Sequence, residues 1–143
     1  MQDFTKKEHF GQKEVGYKFK AGPRVVTPSQ VDLWCFITND NVDQFLSDEA
    51  GKALNIGTKG RILPGLLTLP AACNVLDEVG LSAPGLMVGM DNIKVVHPVE
   101  PYDALTVDGE VLSKRPTSRG DRVVVKFSFN IRNQDNVLCM SGE

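Results

Sequence analysis

The run Gly65-Leu66-Leu67-Thr68-Leu69-Pro70-Ala71-Ala72-Cys73-Asn74-Val75-Leu76 decides the fold of this chain. Leu66, Leu67, Leu69, Ala71, Ala72, Cys73, Val75 and Leu76 leave almost no polar face, so a helix built from them must be buried on nearly all sides. The pattern predicts a helix over 65–79 that stops at Gly80. Pro70 lacks the N–H that would bond the Leu66 carbonyl, so a kinked or irregular first turn is expected. A helix this apolar needs a sheet to wrap it.

The rest of the sequence supplies that sheet. Leu105, Val107, Gly109 and Val111 alternate with Thr106, Asp108 and Glu110. Val123, Val125, Phe127, Phe129 and Ile131 alternate with Val124, Lys126, Ser128, Asn130 and Arg132. Both are period-two strands with one buried face. A further long strand is expected over 87–96, and a final one over 137–140 after the turn Asn133-Gln134-Asp135-Asn136. Upstream, 17–20 and 24–26 read as short extended pieces around a turn at Gly22-Pro23. Thr27 can cap a helix, Pro28 suits its first position and Gln30 can bond back to the cap. Val31, Trp34, Cys35 and Thr38 then recur at helical spacing. A short helix is expected over 48–53, with Asp48 and Glu49 favourably in its first turn, and 57–60 reads as a loop. Helices followed by an antiparallel meander make an α+β domain over 15–143, preceded by a polar arm over 1–14.

Composition narrows the function classes. The chain has 143 residues, enough for one domain with a real core, and 41% hydrophobic with 24% charged residues is ordinary for a soluble protein. A formal charge of −2 gives no field that would recruit nucleic acid or an anionic membrane. No apolar run approaches the roughly 20 residues that span a bilayer. The first eight residues lack the apolar centre of a signal peptide. Cys35, Cys73 and Cys139 are odd in number, sit among apolar neighbours and form no Cys-x-x-Cys pair. Free buried thiols in a reducing cytoplasm are the expectation.

The polar cluster Asn39-Asp40-Asn41-Val42-Asp43-Gln44-Phe45 lies between the two helical regions. As a calcium loop counted from Asn39 it would need glycine at position six and glutamate at position twelve, where Gln44 and Ala50 stand. No His/Cys spacing suits zinc. Asp40 is therefore either a working carboxylate or a residue that stabilises a local turn. Gly65 likewise either leaves room for a ligand at a helix start or permits tight packing.

These landmarks together resemble the MaoC-like dehydratase family, the (R)-specific enoyl-CoA hydratases, whose hot-dog fold is a curved antiparallel sheet wrapped around a long helix. Val15-Gly16 with Val26-Thr27-Pro28-Ser29-Gln30 looks like the family's entry strand and first helix. Pro64-Gly65-Leu66-Leu67-Thr68-Leu69 looks like its His-Gly-Met-Leu-Thr-Leu helix start. His97-Pro98-Val99 with Pro101-Tyr102-Asp103-Ala104-Leu105 looks like its Pro-Val-x-Pro-Gly-Asp-x-Leu turn, and Asn133-Gln134-Asp135 with Ser141-Gly142-Glu143 like its last hairpin.

The family's catalytic segment reads Gly-Asp-x-Asn-Pro-Ile-His, in which aspartate and histidine act as general acid and base on water and the acyl thioester. By that resemblance Asp40 matches the aspartate, and Gly65 matches the glycine whose N–H meets the thioester carbonyl. Asn39 replaces the family glycine, Val42-Asp43 replaces Asn-Pro, Phe45 replaces the catalytic histidine and Pro64 replaces the histidine before the glycine. Phe45, Pro64 and Leu66 become substrate-binding candidates. The two histidines are His9 in the arm and His97 before the Pro98-Val99 turn, and nothing in the sequence sets His97 beside Asp40.

The resemblance implies an acyl-CoA or acyl-carrier-protein thioester as substrate, no separate cofactor, and a homodimer or a heterodimer with another hot-dog chain. Three activities follow as expectations: a hydratase-dehydratase of fatty acid metabolism with altered catalysis, a non-catalytic substrate-binding subunit, or an acyl-CoA thioesterase. Lys94, Lys114, Arg115, Arg119 and Arg122 are either contacts for CoA or carrier phosphates or ordinary solvated charges.

Overall fold

The structure, a computed structural model, describes residues 10–77 and 86–143. Five antiparallel strands form one sheet in the order β1-β3-β4-β5-β2. They are β1 (Lys18–Val25), β2 (Lys94–Val95), β3 (Ala104–Pro116), β4 (Val123–Arg132) and β5 (Leu138–Gly142). Four α-helices precede β2: α1 (Pro28–Thr38), α2 (Asp43–Leu46), α3 (Asp48–Ala53) and α4 (Gly65–Cys73).

The alternation read in the sequence becomes the packed face of the sheet. Leu105, Val107, Phe129 and Ile131 share one buried cluster with Phe19 and Ala21 of β1 and with Leu69, Ala72 and Leu76 from α4 and the turn after it. Burying a leucine or isoleucine side chain stabilises by roughly 1.5–3 kcal/mol, so this one cluster holds helix and sheet together. Gly109 sits where two strands and a ring converge. A Cβ there would strike the Ser128 carbonyl of the paired strand and the edge of Phe19.

The two expected pieces of the first strand are one strand, β1, with its ladder shifted between Ala21 and Arg24 around Gly22-Pro23. The capping box forms as read: the Thr27 N–H donates to Gln30 Oε1 at 2.9 Å and the Gln30 N–H donates to Thr27 Oγ1 at 3.4 Å. The arm is not wholly free, because a 3₁₀ turn at Phe10–Gln12 packs against β4.

Three expectations change. The helix over 65–79 is α-helical only to Cys73, and a 3₁₀ turn continues it over Asn74–Asp77. Pro70 stands inside α4, and the 3₁₀ turn lies beyond it. The expected end at Val79 and Gly80 lies outside the described residues. Burial on nearly all sides fails at the helix start, where Leu66 is 74% exposed. The strand over 87–96 shrinks to Lys94–Val95, because this segment is the sheet edge and Asn92 takes a left-handed φ of 55°. Asp91 and Glu143 still exchange two backbone hydrogen bonds at 2.9 Å, which ties the loop to the end of β5. Lys126 reinforces that tie through Asp91 at 3.1 Å and Glu143 at 2.6 Å.

The close approach at Gly109 makes a direct test of the sheet packing. Gly109→Ala is expected to destabilise the fold by about 1–3 kcal/mol, measured by urea unfolding, because the obstructing atom is backbone and cannot rotate away.

Candidate active site

The site grows from the carbonyl of Pro64. Pro64 precedes α4 with φ −52° and ψ 134°, its side chain fully buried. Its carbonyl accepts from the N–H groups of Leu67 at 3.0 Å and Thr68 at 3.1 Å, and from Thr68 Oγ1 at 3.3 Å. The two amides ahead of them, on Gly65 and Leu66, have no acceptor among the described residues. They are the orphan donors every helix start leaves, at the positive end of the helix dipole. The local backbone does not require glycine at 65: a Cβ would meet only Val95 Cγ2, at 3.4 Å.

Gly65 faces a cavity of about 430 Å³. Three backbone ties assemble its walls. The Ile62 N–H donates to Gln44 O at 3.0 Å, joining the α4 approach to α2. The Leu63 N–H donates to Val99 O at 2.8 Å, joining the same approach to the segment after β2. Val96 and His97 both donate to Cys139 O, at 2.8 and 3.2 Å, joining that segment to β5. The wall is consequently apolar, with Phe45, Ile62, Val96 and Met140 among its members. Its polar side chains are Thr68, Gln44 and His97.

Of the residues singled out from the sequence, Phe45 and Gly65 line this cavity together. Pro64 is buried behind the wall, and Leu66 projects from the helix start to the outside. Asp40 is not part of the wall and lies four positions before Gln44, which is. The turn reading of Asp40 finds no support in its side chain. Asn39 is the left-handed helix cap, and Asn41 Nδ2 donates to Asn39 Oδ1 at 3.0 Å. The Asp40 carboxylate has no hydrogen bond or ion pair among the described residues, although its own N–H donates to Cys35 O at 3.1 Å.

His97 is a cavity residue that sequence reasoning left out of the site. It stands in the cavity wall with Gly65 and with Phe45, where the resembled family keeps histidine. The signal was the His97-Pro98-Val99 landmark, but only the tie to Cys139 reveals where that landmark points. The basic residues are elsewhere. Lys114 and Arg115 end β3, and Arg119 and Arg122 belong to the β3–β4 hairpin; only Lys94 adjoins the cavity, next to Val95.

A larger cleft of about 580 Å³ runs past Ser47, Asp48, Lys59, Arg61, Glu100 and Tyr102. Several of its polar groups are tied into the structure. Arg61 pairs with Asp32 at 2.7 Å, the Arg61 N–H bonds Asp48 and the Lys59 N–H bonds Glu100.

All three cysteines are unpaired. Burial pushes the Cys73 thiol up to about 11 and raises Cys35 and Cys139 as well. At pH 8 only about one Cys73 in a thousand is then thiolate. Native protein is expected to alkylate far more slowly with iodoacetamide at pH 8 than protein in urea, by mass spectrometry.

No family model and no curated protein matches the chain. Solved structures do. A MaoC-like dehydratase from Rhodospirillum rubrum superposes with TM-score 0.77 at 22% identity, covering 91% of this chain and 88% of its own. The (R)-hydratase PhaJ1 from Pseudomonas aeruginosa, unliganded, gives 0.73 at 24% identity, covering 95% and 82%. The ChsH1–ChsH2 complex from Mycobacterium tuberculosis gives 0.65 at 16%, covering 91% and 94%. The chain therefore has the hot-dog fold, and its structural neighbours are MaoC-like dehydratases and (R)-hydratases. Among the described residues no helix is long and apolar enough to cross a membrane.

Proposed function

We propose that this chain binds an enoyl or 3-hydroxyacyl thioester, carried on CoA or an acyl-carrier protein, and adds or removes water across its α,β bond. One observation carries the reading: the unpartnered Gly65 N–H opens into an apolar cavity sized for a short acyl group. An N–H at a helix start is matched to the oxygen of a thioester as negative charge develops on it. Phe45 then serves as wall for the acyl chain. Asp40, with its carboxylate unspent on local structure, is the acceptor that holds the water.

Wild-type protein is expected to hydrate crotonyl-CoA without releasing free thiol, followed by loss of enoyl absorbance and by a thiol assay in parallel. Asp40→Asn is expected to lower kcat by about 10²–10⁴ while leaving stability unchanged, since no intrachain bond to the carboxylate is lost. Thiol release in place of hydration would assign a thioesterase instead. Absence of both would leave acyl-CoA binding alone.

A second reading concerns assembly, and one surface favours it. Beside Asp40, α1 presents Leu33, Phe36 and Ile37, with Phe36 83% and Ile37 70% exposed. Leu66 and the edge strand β2 add further exposed apolar area. Exposed apolar side chains of this number favour an interface. The occupant we propose is a second hot-dog chain, identical or related, which would close over Asp40 and complete the site. Light scattering is expected to report a dimer for wild-type protein or for the pair purified from its host, and Phe36→Asp is expected to shift it to monomer. A wild-type monomer in both preparations would remove this reading.

A further inference from the structure

Position 45 cannot move a proton, yet the cavity it lines is bordered by a histidine, His97, from another segment. We propose that His97 performs the proton transfer that Phe45 cannot, acting on water and an enoyl thioester bound against Gly65; this rests on the hydratase reading above.

Three observations converge. First, His97, Phe45 and Gly65 share one cavity wall, so a thioester whose oxygen meets the Gly65 N–H lies in the space His97 borders. Second, His97 Nδ1 stands 2.8 Å from the Pro98 carbonyl oxygen. A carbonyl only accepts, so Nδ1 carries the hydrogen of that bond, and in the neutral ring Nε2 is left as the basic nitrogen. Third, the position is fixed from both sides. The His97 N–H donates to Cys139 O at 3.2 Å, and the next residue is proline, which restrains the backbone. The ring is also exposed, so water reaches it. A purely structural role would explain the bond at Nδ1 but gives Nε2 no task.

The chemistry balances with one base. Nε2 takes a proton from water as the water oxygen bonds Cβ. The π pair of the α,β bond moves to Cα, and charge spreads to the thioester oxygen at the Gly65 N–H. The Nε2–H then returns its proton to Cα, and His97 is neutral again. Hydrogen and hydroxide have been added and nothing is oxidised or reduced. Dehydration is the same path reversed.

His97→Asn tests this, because the asparagine Nδ2 can occupy the place of Nδ1 and keep the bond to Pro98 while the basic nitrogen is lost. With crotonyl-CoA, His97→Asn is expected to lower kcat by about 10²–10⁴ with KM nearly unchanged. His97→Gln, which also lacks a base, is expected to match it and guards against a folding defect in either variant. Adding Phe45→His to His97→Asn is expected to recover activity. A second readout needs no turnover: butyryl-CoA is expected to shift the His97 ring resonance, identified by its loss in His97→Asn, and to leave that of His9 in place. Wild-type hydration with both His97 variants within about threefold of it would overturn the inference and leave the hydratase reading standing. Wild-type protein without hydration would overturn both.

Discussion

Everything in this molecule depends on taking one apolar helix out of water. The sequence from Leu67 to Leu76 has no polar face with which to meet solvent, and the fold answers by laying it on the sheet. Leu69, Ala72 and Leu76 close against Phe19, Leu105, Val107, Phe129 and Ile131. Once that contact is made, the start of α4 has a fixed place. The Pro64 carbonyl is consumed by the helix's own first turn, and the Gly65 amide is left without an acceptor among the described residues at the cavity wall. Core and candidate chemistry are two ends of one nine-residue helix.

The parts of the fold legible in the sequence were those with local causes. Thr27-Pro28-Ser29-Gln30 writes a helix start in hydrogen-bonding groups that need no distant partner, and the capping box formed as read. The long strands of the second half announced themselves by period because Leu105, Val107 and Val111 in β3 and Phe129 and Ile131 in β4 fall on one buried face. The edge segment was misread for the complementary reason. Residues 87–96 are as apolar as a strand, but a strand is defined by its neighbours, and this one has a neighbour on one side only. Apolar side chains that face no core still look like core to a pattern. Leu66 misled in the same way: its chemistry belongs to a buried helix, and its position belongs to the outside.

The candidate site was half legible. Gly65 and Phe45 were found because they sit in a recognisable frame, and the structure brings them to one cavity. His97 was visible in the sequence but not placeable. Its position is decided by a backbone bond to Cys139, on a strand far along the chain, and no local signal encodes such a tie. Asp40 stands between these cases. Its neighbours Asn39 and Asn41 do form a polar turn, but they do so with each other, and the carboxylate is left over. A residue surrounded by turn formers is easily taken for one of them.

The strand that borders the cavity, β2, is one of the two edge strands and the shortest of the five, paired with β5 over two residues. Local opening there requires breaking that ladder together with the Asp91–Glu143 bonds before it and the Val96 and His97 bonds to Cys139 after it. This side of the cavity is therefore tied to β5, with no strand pairing to β1, β3 or β4 among the described residues. Part of this wall is also core, because Leu63, Val99, Cys139 and Met140 line the cavity and belong to the buried cluster. Sequence change at the exposed Val95 and Val96 can retune what the cavity accepts with little effect on whether the chain folds.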